Sequence, residues 1–286
     1  MPSGSDPLEP LLLAALRAAW RGGQEILEVY RTDFAVESKS DATPLTEADR
    51  RSQQRIREIL EDADPAIPFL GEEGSAIPYD ERRGWERFWL VDPLDGTKEF
   101  VSRNGEFTVN IALIAGTRPV LGLILAPLLS VAYFGLVDAG CAWRLDDAGA
   151  LAGRSELFWR QVERSAARLP REATQVFTVA ASRSHMTPAT EAYIGECRRL
   201  FGDVEVRSSG SSLKMCHVAE GLVDVYPRIG PTSEWDIAAG QAIVEAAGGA
   251  VLRAGSREPL RYNTRELRNP PFVCAGARRR DAVPPG

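Results

Sequence analysis

The chain has 286 residues, 44% of them hydrophobic, with 34 Lys and Arg against 40 Asp and Glu and a formal net charge of -6. That apolar content fills one large domain or two moderate ones, and the acidic balance excludes a broadly basic surface for polymeric nucleic acid. Its four cysteines, Cys141, Cys197, Cys216 and Cys274, form no C-x-x-C pair, which excludes a zinc knuckle or redox motif and fits free thiols in a reducing cytoplasm.

Leu8 to Trp20 has no basic n-region before it and is too short an apolar run to span a bilayer, so neither export nor transmembrane anchoring is expected. The periodicity predicts a helix over 8–30. Its stripe of Leu11, Leu12, Ala15, Leu16 and Ala19 reads as core packing, with a membrane-surface face as the alternative. A polar loop through Lys39 and Asp41 leads to a helix over 46–62, then to strands over 68–71 and 88–92. The β-rich runs 107–115, 120–126 and 131–137, separated by Gly, Pro or Ser, predict an antiparallel meander. The second half alternates: strand 175–181, helix 188–200, strand 203–207, helix 211–220, strand 222–226, helix 235–247, strand 250–253. This pattern implies α+β and α/β layers, with helices covering both faces of a sheet. We expect two lobes sharing an interface, residues 1–150 and 151–286, and a solvated tail from Ala277 that includes Arg278 to Arg280. His217 reads as packed and His185 as a polar loop or cap residue.

The chemistry concentrates at element ends. Asp92 and Asp95 close the apolar run WLVDPLD, with Gly96 and Thr97 directly behind; Glu72 and Glu73 follow the strand ending at Gly71; Asp236 opens a helix. Each alone is an ordinary turn or helix-start residue. Together they make an all-oxygen set without His or Cys, which suits magnesium, beside a turn whose N–H groups suit phosphate. No P-loop, no D-x-D nucleophile pair and no C-x5-R loop is present. What remains is phosphate-ester hydrolysis by metal-activated water.

GEEG at 71–74, DPLDGTKEF at 92–100 and EWDIAAG at 234–240 resemble the metal motifs of the lithium-sensitive, magnesium-dependent phosphatases related to inositol monophosphatase. KSDATPLTEAD at 39–49, RNGEFTVNIALI at 103–114, GSSLK at 210–214 and AEGLVDVYPRIGPTSEWD at 219–236 extend the likeness over nearly the whole chain. TKEF, RNGEFTVNIALI and GSSLK are similar to the bisphosphate-nucleotidase subgroup.

The resemblance implies a layered αβαβα sandwich, with Glu72, Asp92, Asp95, Asp236 and the Leu94 carbonyl as metal ligands. It also implies two or three magnesium ions, a pair of them roughly 3.5 to 4 Å apart. Thr97, hydrogen-bonded towards Asp49, would orient the attacking water with support from Glu72; the Gly96 and Thr97 amides would receive phosphate oxygens. Lys39 and Asp41 would lie in a loop closing near the metals. Gly210, Ser211, Ser212, Lys214, Arg228 and Asp236 would contact substrate, although Ser212 also suits a simple N-cap. Arg228 stands where inositol-specific relatives place an acid, and a guanidinium there suits a second phosphate. Glu234 reads as an exposed or helix-start charge without a role.

The expected substrate is a small-molecule nucleotide bisphosphate, adenosine 3',5'-bisphosphate, converted to AMP in sulfate assimilation. The resemblance also implies a monomer or homodimer in the cytoplasm or peripheral on its inner membrane. The alternatives are an inositol- or sugar-phosphate phosphatase with the same metal site, and a nucleotide-binding regulator without turnover.

Overall fold

A computed structural model describes residues 7–38, 44–74, 77–181, 186–280 and 284. Lys39, Asp41 and His185 lie outside them. Seven strands pair in chain order: Phe69–Gly71, Arg87–Asp95, Thr108–Ala115, Arg118–Ala126, Val131–Leu136, Cys141–Leu145 and Ala167–Arg168. The first pair is parallel and the others form the expected antiparallel meander.

These strands are covered on both faces, and their period of two divides them between two cores. Trp89, Val91, Val109, Ile111 and Leu113 join Leu12, Leu16, Ile26 and Ile56 of the Glu9–Tyr30 and Glu47–Ala63 helices. Phe88, Leu90, Ala112 and Ile114 point the other way, to Met215, Val218, Ile237 and Ile243 of the Leu213–Glu220 and Glu234–Ala246 helices. Behind that helix layer lies a five-stranded sheet, ordered Val204–Ser208, Phe177–Ala181, Val225–Arg228, Phe272–Ala275, Ala250–Arg253. The Pro188–Phe201 helix closes its far side through Tyr193, Ile194 and Cys197. The layers therefore run αβαβα.

The N-terminal stripe faces the core: Leu12, Ala15, Leu16 and Ala19 are buried. Among the described residues no helix is long and apolar enough to cross a membrane. Close approach of the Glu234–Ala246 helix to the meander depends on glycine. A Cβ at Gly122 would stand 2.2 Å from the Ala239 carbonyl oxygen, so a side chain there would drive this helix off the sheet.

Three expectations are corrected. The strand placed at 222–226 runs over Val225–Arg228, because the preceding helix ends in left-handed Gly221 and Asp224 is tied to Thr174 and the Thr178 amide. The helix placed at 211–220 starts at Leu213, since Ser211 takes a φ of 44°. The tail is not simply solvated. Arg279 pairs with Asp224 at 3.2 Å and lies over Phe177 and Phe201, while Tyr193 donates to the Pro284 carbonyl.

Candidate active site

Parallel pairing of Phe69–Gly71 with Arg87–Asp95 sets Gly71 opposite Val91, so both strands end at one edge. Glu72 follows the first, and its amide donates to Val91 O at 3.0 Å. Gln53, from the neighbouring helix, accepts from the Glu73 amide at 2.8 Å and packs on Gly71, fixing this turn. In the second strand the register to Thr108–Ala115 shifts in a bulge between Asp92 and Asp95, and the two carboxylates stand near enough for the Asp95 charge to act on Asp92. Ser52 holds the bulge by donating to Pro93 O at 2.9 Å, and Asp92 Oδ1 accepts from the Leu94 amide at 3.0 Å. Gly96 then adopts φ 91°, where a Cβ would stand 3.2 and 3.3 Å from Glu106 O and the Ser211 Cβ, and starts the short Thr97–Val101 helix.

Asp236 sits in the first turn of the Glu234–Ala246 helix, in a capping box with Ser233, whose amide donates to Asp236 Oδ2 at 2.8 Å. Burial, reinforced by the charges of Glu72, Asp95 and Asp236 and a hydrogen bond with Glu72, pushes Asp92 well above the ordinary carboxylate range. Burial, with the charges of Asp95 and Glu72, pushes Asp236 up to about 8. The charges of Glu72 and Asp95 thus act on both Asp92 and Asp236. Among the described residues no three His, Cys, Asp or Glu side chains stand ready-made in ligating geometry, so the fit to a cation rests on this crowding. The crowding that raises Asp92 and Asp236 is relieved by a hard, oxygen-preferring cation, and no imidazole or thiolate competes for it.

Asp95, Gly96, Lys98, Glu99, Ser211, Ser212, Lys214, Tyr226, Arg228, Thr232 and Asp236 line a cavity of about 120 Å³. Lys214 is buried in its wall, its Nζ 3.1 Å from Ser209 O, 2.6 Å from Ser211 O and 5.5 Å from the Tyr226 ring centre. Burial lowers its pKa to about 8 against the pull of Asp95, Glu99 and Glu106. Arg228 Nη2 donates to Pro231 O at 3.3 Å, while its buried Nε has no partner among the described residues. Gly210 is held from outside the cavity by Glu106, which accepts its amide at 2.7 Å.

Two side chains differ from expectation. Thr97 Oγ1 donates to Leu94 O at 3.4 Å rather than to Asp49, whose Oδ2 accepts from Thr46 N and Oγ1 at 2.8 and 2.7 Å in a capping box. Glu234, expected to be an exposed or helix-start charge without a role, is the first residue of its helix and fully buried. It accepts from Asn263 N, Thr264 N and Thr264 Oγ1 at 2.7, 2.9 and 2.5 Å, and Asn263 in turn binds Arg82. This network anchors the helix start that carries Asp236. Glu234→Gln weakens it by about 1–3 kcal/mol, so calorimetry should show a Tm lower by roughly 5 °C; an unchanged Tm would mean that the network contributes nothing.

His217 is half-buried, outside the cavity lining, with a pKa lowered by burial. Asn110 was missed. It is fully buried opposite Asp92, and Nδ2 reaches Ser212 Oγ at 2.8 Å. Its signal was a lone amide in the apolar run TVNIALIA. Lys98, Glu99, Tyr226 and Thr232 of the lining carried no comparable mark.

The model for the inositol monophosphatase family matches residues 7–280. The chain is 42% identical to the 3'(2'),5'-bisphosphate nucleotidase CysQ of Salmonella typhimurium, over 92% of this chain and 98% of that protein. It superposes on the crystal structure of CysQ from Bacteroides thetaiotaomicron with a TM-score of 0.86 at 44% identity, covering 95% of this chain and 98% of that one. An inositol monophosphatase from Zymomonas mobilis shares the fold, with a TM-score of 0.70 at 24% identity over 95% and 94% of the two chains.

Proposed function

The chain belongs to the inositol monophosphatase family, and we propose that it is a 3'(2'),5'-bisphosphate nucleotidase that hydrolyses the 3'-phosphate of adenosine 3',5'-bisphosphate to AMP and phosphate. The carrying observation is that one cleft combines Asp95 and Asp236 with Lys214 and Arg228. Acids alone suit any phosphatase of the family; a buried Lys214 and a half-buried Arg228 beside them suit a substrate with a second phosphate. Its metabolic setting is then sulfate assimilation, which yields this bisphosphate as a by-product.

Magnesium is the cation that this donor set fits, and Glu72, Asp92, Asp95, Asp236 and the Leu94 carbonyl would hold it. When bound it neutralises these acids and polarises the phosphoryl group and the attacking water. The Gly96 and Thr97 amides, at the start of the Thr97–Val101 helix, donate to phosphoryl oxygens. Thr97 Oγ1 orients the water, and Glu72 takes part in removing the water's proton. Attack is direct, without a phosphoenzyme. Lys214 stays mainly protonated at neutral pH and, with the unsatisfied Nε of Arg228, faces the second phosphate. Ser211 joins them at the rim.

An inositol-phosphate phosphatase would use the same acids, and Arg228 separates the two readings. Arg228→Glu places a like charge against the second phosphate, so kcat/KM for the nucleotide should fall by about 10²-fold, with polyol phosphates much less affected. Unchanged selectivity would remove Arg228 from the explanation.

A further inference from the structure

Ser212 does not cap its helix. It is the N-cap of Leu213–Glu220, yet its side chain makes no capping hydrogen bond. Its Oγ lies instead 2.5 Å from Asp95 Oδ2, 2.9 Å from Asp236 O and 2.8 Å from Asn110 Nδ2. A hydroxyl has one proton. The Asn110 amide must donate to Oγ, so that proton is free for an acceptor, and the nearer one is the Asp95 carboxylate. Asn110 Nδ2 also lies 3.4 Å from the same Asp95 oxygen, which fixes the amide orientation: a flipped Asn110 would set its carbonyl against a carboxylate. Both partners are buried, and Asn110 Oδ1 has no partner among the described residues, a cost tolerated to keep Nδ2 on this pair. Oδ2 of Asp95 is thereby occupied, leaving Oδ1 for a cation.

We infer that Asn110 and Ser212 are positioning residues that lock the Asp95 carboxylate and tie it to the anion-contacting turn 209–214. The inference rests on the proposed function and deepens it. Within that turn Lys214 Nζ binds the Ser209 and Ser211 carbonyls, and Ser211 holds a left-handed φ of 44°. The turn is closed on itself by Lys214 and fastened to Asp95 by Ser212. A cation that fixes Asp95 therefore also fixes the turn, and an anion that orders the turn also orders Asp95. Such coupling is reciprocal in the two affinities. Ser212, read from sequence as a substrate contact, acts here through Asp95 instead.

The test is magnesium affinity without substrate, measured by calorimetric titration and thermal shift on the full-length protein, alongside nucleotide hydrolysis. Ser212→Ala should raise the magnesium Kd by about 10-fold or more, lower the metal-free Tm by no more than roughly 5 °C, and weaken the tightening of inorganic phosphate binding by magnesium. Ser212→Thr, which keeps the hydroxyl, should hold the Kd within about threefold of wild type. Asn110→Ser, the second variant should Ser212→Ala fold poorly, should weaken magnesium in the same direction. A Ser212→Ala protein with wild-type magnesium affinity and only a raised KM would overturn the inference and return Ser212 to substrate contact, while wild-type hydrolysis of the bisphosphate would still leave the proposed function standing. A wild-type protein that neither binds magnesium nor releases phosphate would overturn both.

Discussion

Asp95→Asn abolishes turnover of adenosine 3',5'-bisphosphate, with kcat lower by about 10³-fold or more. Loss of a supporting residue around a metal costs 10- to 100-fold, and Asp95 is proposed as a ligand itself as well as the acceptor of the Ser212 hydroxyl. Asparagine keeps the shape but supplies a neutral oxygen, and its amide nitrogen would face the donors Ser212 and Asn110 if the side chain flipped. The same change should not destabilise the metal-free protein. The Asp95 charge is one of the causes that push Asp92 and Asp236 upward, so neutralising it relieves repulsion. The expected pair of results is lost phosphate release, read by a phosphate assay, and a metal-free Tm equal to or above wild type, read by calorimetry. A variant that keeps more than a tenth of wild-type turnover would take Asp95 out of the metal site.

Removing magnesium should make stability strongly pH-dependent, in a stated direction. In the unfolded chain Asp92 and Asp236 ionise near pH 4, like ordinary aspartates. In the folded, metal-free chain burial and neighbouring acids keep them protonated to higher pH, Asp236 up to about 8. Between about pH 4 and 8 the native state therefore holds protons that the unfolded state has released, and stability falls as pH rises through that window. Magnesium held by these acids would take the place of those protons, so its binding should release protons and its stabilising effect should grow with pH. With chelator present, the Tm should drop by roughly 5 °C or more from pH 5.5 to 8.5, and saturating magnesium should recover most of the loss. Glu234 and Glu245, also raised by burial, contribute a part that magnesium does not restore. Equal Tm values with chelator and with magnesium at pH 8.5 would contradict the clustering of these acids into a cation site.

What could be read from the sequence was what depends on period and local spacing. β-rich runs between turn residues marked Thr108–Ala115 and Val131–Leu136 as strands, whose side chains meet one or other of two cores, and the 3.6-residue stripe of Glu9–Tyr30 marked a helix packed inward. The acids at 72, 92, 95 and 236 were visible as breaks where apolar runs end. Partners distant in sequence were not visible. Glu234 finds its donors at Asn263 and Thr264 in a loop without periodicity, so only the fold reveals that it is buried. Ser212 looked like an N-cap because nothing local shows that Asp95 and Asn110 converge on its hydroxyl. Arg279 and Pro284 looked like a loose tail because their partners, Asp224 and Tyr193, lie on other elements. One miss was local: Thr46 and Asp49 have capping-box spacing, which accounts for the hydrogen bonds of Asp49 Oδ2 to Thr46.

The most direct test is phosphate release by the wild-type chain with magnesium, from adenosine 3',5'-bisphosphate and inositol 1-phosphate side by side. A kcat/KM for the nucleotide at least about 10²-fold higher is the predicted result, whereas equal rates or preference for inositol 1-phosphate would contradict the assignment of Lys214 and Arg228 to a second phosphate.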